Sequence, residues 1–194
     1  MRAITLHRHG DASVLQPEDL PDPTPGAGQA LVRVHACALN RLDLWVRGGL
    51  PNLRIAYPHV LGSDVAGDVV EVGAGVDRSW IGRAVVVNPG LSCGACERCL
   101  SGWDNLCPRY RILGENAPGG YCELLAVPVA NLVAAPAGLD MIHAAAIPLT
   151  FLTAWQMLVE RAHVAPGDTV LVHAVGSGVG VAALQIARLH GARV

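Results

Sequence analysis

The 194 residues predict a β-rich barrel or partly open sandwich, followed by the opening strand, turn and helix of a doubly wound α/β domain. Three observations predict this. Up to about Val133, short β-branched runs alternate with turn-forming clusters. After that point the apolar residues recur at helical spacing. Near the end, a hydrophobic run leads directly into Gly176-Ser177-Gly178-Val179-Gly180. The expected boundaries are therefore 1–133 for the β-rich domain, with a cysteine loop at 89–110 inside it, and 134–194 for two connecting helices and the incomplete α/β domain.

The strands follow from the pattern. Leu31-Val32-Arg33-Val34-His35-Ala36 alternates, Val69–Val72 and Ala84–Val87 are β-branched, and Tyr121–Val127 reads as a further strand. Between them lie turn residues: Pro21-Asp22-Pro23-Thr24-Pro25-Gly26, Gly73-Ala74-Gly75 and Pro118-Gly119-Gly120. In the second part, Asp140 can cap a helix over Met141–Ala146, and Pro148 suits the first position of the next. That helix places Leu152, Trp155, Leu158 and Val159 on one face. Thr169–His173 reads as a buried strand, and the helix after the glycines carries Val179, Ala182, Ala183, Ile186 and Leu189 on one side, with Gly191 just past its end.

A composition of 52% hydrophobic and 15% charged residues supplies a core to bury. A formal charge of −2 and a pI near 6.4 give no electrostatic footprint for nucleic acid or an anionic membrane. No apolar run reaches the ~20 residues a membrane span needs, and the N-terminus lacks a signal-like apolar region, so a cytoplasmic protein with reduced thiols is expected.

Four of the six cysteines, Cys93, Cys96, Cys99 and Cys107, share one loop with the spacing C-x2-C-x2-C-x7-C. Four thiolates fill the tetrahedral shell of a zinc ion and leave no position for water or substrate, which makes a structural site. An iron–sulfur cluster also deserves weight, because Cys107-Pro108 echoes a ferredoxin run, though that run has three residues before its last cysteine where this one has seven. Disulfides or free thiols remain the third possibility.

Strand, glycine-rich turn and helix are the opening of a dinucleotide-binding unit, in which bare backbone and a helix N-terminus meet a pyrophosphate. The glycines do not complete G-x-G-x-x-G, since Val181 stands where the last would fall, so a plain strand-to-helix turn is the competing explanation. The acidic residue expected ~20 positions further on would lie past Val194. The chain is therefore expected to be the N-terminal portion of a longer protein or a truncated product.

Taken together, Ala38-Leu39-Asn40-Arg41-Leu42-Asp43, Val60 to Gly67, the cysteine loop, Gly119-Gly120-Tyr121-Cys122-Glu123, Leu152-Thr153-Ala154-Trp155 and Gly176 to Gly180 resemble the medium-chain dehydrogenase/reductase superfamily. The resemblance spans the whole chain. It implies a GroES-like catalytic domain, a Rossmann domain with the active site between the two, a nicotinamide cofactor, NAD(P)H, and a small-molecule substrate. It also implies that the full-length protein is a homodimer or homotetramer.

The departures from the family pattern are specific. Where zinc alcohol dehydrogenases hold a catalytic zinc, this chain has Asn40 before Asp43, Ser63 in Gly62-Ser63-Asp64, and Leu149 before Thr153. None supplies thiolate or imidazole. His59 and Asp64 are the nearest substitutes in sequence, with His59 equally readable as a loop or core residue, and Cys37 and Cys122 as small buried hydrophobes. What remains feasible is reduction of a quinone or an α,β-unsaturated carbonyl, with structural zinc only. By resemblance, Asn40 and Thr153 border the nicotinamide, Gly176, Ser177, Gly178, Val179 and Gly180 the pyrophosphate, and Asp43, Ser63 and Asp64 the substrate end. The alternatives are an alcohol dehydrogenase with an atypical metal site and a non-catalytic, zinc-stabilised module.

Overall fold

The computed structural model describes residues 1–194, which form two compact units, Met1–Ala145 and Ala146–Val194. In chain order the first unit contains β1 (Arg2–Leu6), β2 (Gln16–Asp19), β3 (Gln29–Ala38), α1 (Arg41–Gly48), β4 (His59–Val60), β5 (Asp64–Val72), β6 (Ala84–Val87), β7 (Gly90–Leu91), α2 (Glu97–Leu100), β8 (Arg111–Ile112), β9 (Leu124–Pro128), β10 (Leu132–Ala134) and α3 (Met141–Ala145). The second contains α4 (Pro148–Trp155), a π-helical turn at Gln156–Arg161, and α5 (Gly178–Leu189).

The first unit is built on an open antiparallel sheet in the order β10-β6-β5-β3-β9, joined by a sheet β2-β1-β4 and the small pair β7-β8. Alternation sets its two faces. Val65 and Val69 of β5, with Val85 and Val87 of β6, point into the main core, while Ala66 and Val86 point to the other face, where Ala144 and Ala145 of α3 cover them. On β3 the parity changes part-way. Ala30, Val32 and Val34 face the main core, yet so does Cys37, because His35 is an extra residue in the ladder between the pairs Val34–Gly67 and Ala36–Ala66. The bulge re-aims the end of β3, from which the chain enters α1.

The predicted strand Tyr121–Val127 begins only at Leu124. Ahead of that point the backbone is paired elsewhere: Tyr121 N–H donates to Leu61, Ile4 N–H donates to Tyr121, and Cys122 makes a single bridge to Ala3. Asp140 caps α3 as expected, accepting His143 N–H at 2.9 Å.

In the second unit, Ala154 packs with Ala182, Ala183 and Ile186, joined by Phe151, Leu158, Val159, Val172 and Val179. The expected face is corrected in part: Leu158 and Val159 pack as expected, but Leu152 and Trp155 are about half exposed and Phe151 and Ala154 take their place. Leu189 is likewise 84% exposed and Ala187 takes its place on the buried side of α5. The expected buried strand Thr169–His173 is a single parallel bridge, Thr169 to Arg193, with Leu171 81% exposed. A buried parallel strand needs a ladder on both edges, and only two backbone bonds, Val170 N–H to Arg193 and Arg193 N–H to Asp168, hold this one. No helix is long and apolar enough to cross a membrane.

Candidate functional site

Asn40 follows β3 in extended conformation and caps α1. Asp43, three residues on, reaches back so that its Oδ2 accepts the Asn40 backbone N–H at 2.6 Å, while its Oδ1 accepts Gly62 N–H at 3.2 Å. One buried carboxylate thereby ties the start of α1 to the turn before β5. Gly62 is required in that turn: its φ is +98°, and a Cβ would lie 2.5 Å from the Tyr121 ring and 2.8 Å from Cys37 Sγ. Asp64, the first residue of β5, accepts the Asn40 side-chain Nδ2 at 2.9 Å.

These side chains differ in what they leave available. Asn40 and Asp43 line a groove of about 360 Å³ with Leu39, Leu44, Leu61 and Tyr121, whereas Ser63 and Asp64 do not. Ser63 is fully buried and its hydroxyl donates to the Leu113 carbonyl at 2.7 Å, so the structure places it inside the fold. His59, 4% exposed, turns Nε2 to the carbonyl of Gly114 at 3.2 Å, and burial holds its pKa below the ordinary value. Burial, reinforced by the Asp43 and Asp64 charges, drives the Cys37 thiol far up, making it an inert core thiol. Tyr121 carries the same signature beside Asp43: burial, then the Asp43 charge, raises its phenol, whose oxygen has no hydrogen-bond partner in bonding geometry. Tyr121 sits within a motif legible in the sequence, but nothing there signalled that its ring would lie against Gly62 and its hydroxyl near Asp43.

The cysteine loop is organised differently. The Sγ atoms of Cys93, Cys96, Cys99 and Cys107 lie within 4.8 Å of one another, with separations of 3.8 Å (93–99), 3.4 Å (96–99) and 3.8 Å (96–107). A tetrahedron with metal–sulfur bonds of about 2.3 Å has edges of about 3.8 Å, so the four donors fit a closed ZnS4 centre. The N–H of Ala95 and then the Arg109 side chain lower the Cys93 thiol to about 5, and Cys107 Sγ accepts the Arg109 backbone N–H at 3.4 Å. Nothing in the cysteine spacing pointed to Arg109. The cysteine cluster is the set of three or more His, Cys, Asp or Glu donors that converges in the first unit, and His59 and Asp64 are not part of it.

In the second unit, Ser177 caps α5, its Oγ accepting Gly180 N–H at 3.0 Å. A Cβ on Gly180 would collide with the Ala174 carbonyl, and one on Gly178 would come within 2.9 Å of Thr150 Cγ2, whereas Gly176 faces open space. The glycines therefore serve tight packing as well as leaving the first turn of α5 bare, and an α-helix N-terminus of this form can meet an anion. Thr153 is partly buried and its hydroxyl donates to the Leu149 carbonyl at 2.7 Å, one turn back on its own helix.

Residues 26–137 match the family described as the alcohol dehydrogenase GroES-like domain. The chain belongs to the medium-chain dehydrogenase/reductase superfamily. Its fold follows that of a crystal structure of an NAD-dependent alcohol dehydrogenase, 57% identical with a TM-score of 0.96 over 100% of this chain and 57% of the other. A cobalt- and zinc-bound thermostable alcohol dehydrogenase from Pyrobaculum aerophilum is 38% identical, with a TM-score of 0.90 over 99% of this chain and 57% of that one. The quinone oxidoreductase of Pongo abelii is 32% identical over 195 residues, covering 100% of this chain and 51% of its own length. The chain thus spans about half the length of the curated relatives it matches. The expected GroES-like domain and the superfamily are both established by these likenesses.

Proposed function

We propose that the protein is an NAD(P)H-dependent reductase of quinones or α,β-unsaturated carbonyls, with zinc confined to the cysteine loop. The observation that carries this is the chemistry of the side chains where the family's alcohol dehydrogenases ligate a catalytic zinc. In the first unit Asn40 and Ser63 stand at those places, and both are hydrogen-bonded to the protein's own groups, to Asp64 and Leu113. Neither is a zinc ligand of the usual kind, and the donors around them do not converge. A simple alcohol needs its oxygen driven toward alkoxide, whereas a quinone or enone is already electrophilic.

A bound reduced nicotinamide supplies the hydride. The chain's own contribution is placement. Asn40 presents its amide to the groove beside α1, whose lining of Leu39, Leu44 and Leu61 suits a flat hydrophobic acceptor. In the second unit the bare first turn of α5 receives a pyrophosphate, and Thr153 offers its hydroxyl oxygen as an acceptor. Cys93, Cys96, Cys99 and Cys107 hold structural zinc, supported by their fit to a tetrahedral shell. The 194-residue chain, half the length of its relatives, is expected to bind zinc and to show no turnover by itself.

The test is metal analysis of the full-length protein together with nicotinamide oxidation in the presence of quinones, enones and simple alcohols. One zinc per chain with quinone or enone reduction is expected. A second reading, an alcohol dehydrogenase with an atypical metal site, is favoured by the 57% identity to a structure titled an NAD-dependent alcohol dehydrogenase. Two zinc ions per chain and oxidation of alcohols would decide for it.

A further inference from the structure

Asn40 is held between two carboxylates that do different things. Asp43 grips the backbone, accepting the N–H of Asn40 at 2.6 Å and that of Gly62 at 3.2 Å. Asp64 grips the side chain, accepting Nδ2 at 2.9 Å. With Nδ2 donating to Asp64, the nitrogen of the Asn40 amide faces β5 and its carbonyl oxygen faces the other way, on the side of the Asp43 backbone N–H in the capping box of α1. The clamp is anchored on a strand ladder and not on a free loop, because Ala38, two residues before Asn40, pairs directly with Asp64. Asn40 lines the groove beside α1, while Asp64 is 1% exposed and does not. We infer that Asp64 is a positioning residue: it fixes which face of the Asn40 amide is offered to a ligand in that groove, and touches no reacting atom itself.

This role rests on the proposed function and on the place beside the nicotinamide that the family resemblance gives Asn40. The experiment compares Asp64→Asn, Asn40→Ala and the double variant in the active full-length protein, with KM and kcat measured separately. Asp64→Asn should lower kcat by roughly 10- to 100-fold through misorientation of a single group, with KM for the quinone little changed. The double variant should be no slower than Asn40→Ala, because a residue that acts through another adds nothing once that other is gone. Additive losses, or full kcat in Asp64→Asn, would overturn the assignment. A fully active Asn40→Ala would instead refute the placement of the nicotinamide at Asn40.

A second measurement separates the two failures and requires no variant to fold. In the 194-residue chain, one Nδ2 proton of Asn40 should be shifted downfield and protected from solvent exchange by NMR. Ordinary shift and exchange for both Nδ2 protons would remove the clamp itself, whatever the catalytic data.

Discussion

The cysteine loop and the Asn40 pocket stand in the same unit and are both made of potential ligands, yet they are built on opposite principles. In the loop, four donors point at one another with little core beneath them, and Leu100 lies 77% exposed on the same segment. Such an arrangement is stable only when something at its centre repays the approach of four sulfurs. Around Asn40 the polar groups, the Tyr121 hydroxyl apart, are spent on protein partners: Asp43 on two backbone N–H groups, Asp64 on the amide, Ser63 on Leu113. Convergence of four donors marks a metal site, and polar groups paired within the protein mark a built pocket. On the reading proposed above, the zinc ligands of the family's alcohol dehydrogenases would belong to the first kind, and the residues around Asn40 belong to the second.

The largest expected effect falls on the loop. Cys96→Ser should take zinc content from one per chain toward zero, because three thiolates and a hydroxyl make a far poorer shell. With structural zinc contributing ~10–16 kcal/mol in small peptides, the segment around residues 92–110 should lose its order. Hydrogen exchange would show new fast-exchanging amides there, with β3 and β5 still protected. Retained zinc and unchanged exchange would mean that the loop folds by packing alone.

Glycines sharpen the same contrast. Gly62 and Gly94 both have positive φ, +98° and +68°, but a Cβ at Gly62 meets Tyr121 and Cys37 while one at Gly94 meets nothing within 4 Å. Gly94→Ala should therefore cost only the backbone term, about 1 kcal/mol, whereas Gly62→Ala adds overpacking and should cost about 3 kcal/mol by chemical denaturation. Equal costs would show that the pocket is as loosely packed as the loop.

His59 extends the comparison to pH. Burial keeps its folded pKa below the ordinary 6.5, so above pH 6.5 the ring is neutral in both states and contributes no pH dependence. Between 6.5 and the lower folded value, the unfolded chain takes up a proton that the folded one does not, and stability should fall as pH falls through that window. In His59→Gln this part of the slope should vanish. An unchanged slope would place the acid sensitivity elsewhere.

Much of this was legible in the residues, and what was not has identifiable causes. The cysteine spacing announced its site because ligands within one loop must converge, whatever the rest of the chain does. β3, β5 and β6 were visible because alternation records burial directly. The faces of α4 and α5 were misassigned at Leu152, Trp155 and Leu189, since helical spacing offers overlapping stripes and small residues, Ala154 and Ala187, won the buried one. Thr169–His173 has the composition of a buried strand but lacks the ladder that would make it one. The hydrogen bond from Ser63 to Leu113 joins residues 50 positions apart in the chain, which no local pattern encodes.

That bond carries the smallest prediction and the one that bears most directly on the contrast. By the family resemblance Ser63 is expected to stand where alcohol dehydrogenases carry a zinc-ligating histidine, so its job here bears directly on the proposed function. If it is a structural tie, Ser63→Ala removes one buried donor and leaves the Leu113 carbonyl underbonded, costing about 1 kcal/mol, with kcat/KM in the full-length protein unchanged. If the hydroxyl instead meets substrate, the same change should leave stability nearly untouched and lower kcat/KM by about tenfold or more, equivalent to 1.4 kcal/mol of transition-state stabilisation. The two outcomes move different observables. With the side chain fully buried and its proton directed at Leu113, the first is the one expected, and the pocket's polar residues then divide into Asn40 and Asp43, which line the groove, and Ser63 and Asp64, which sit behind it and hold it in place.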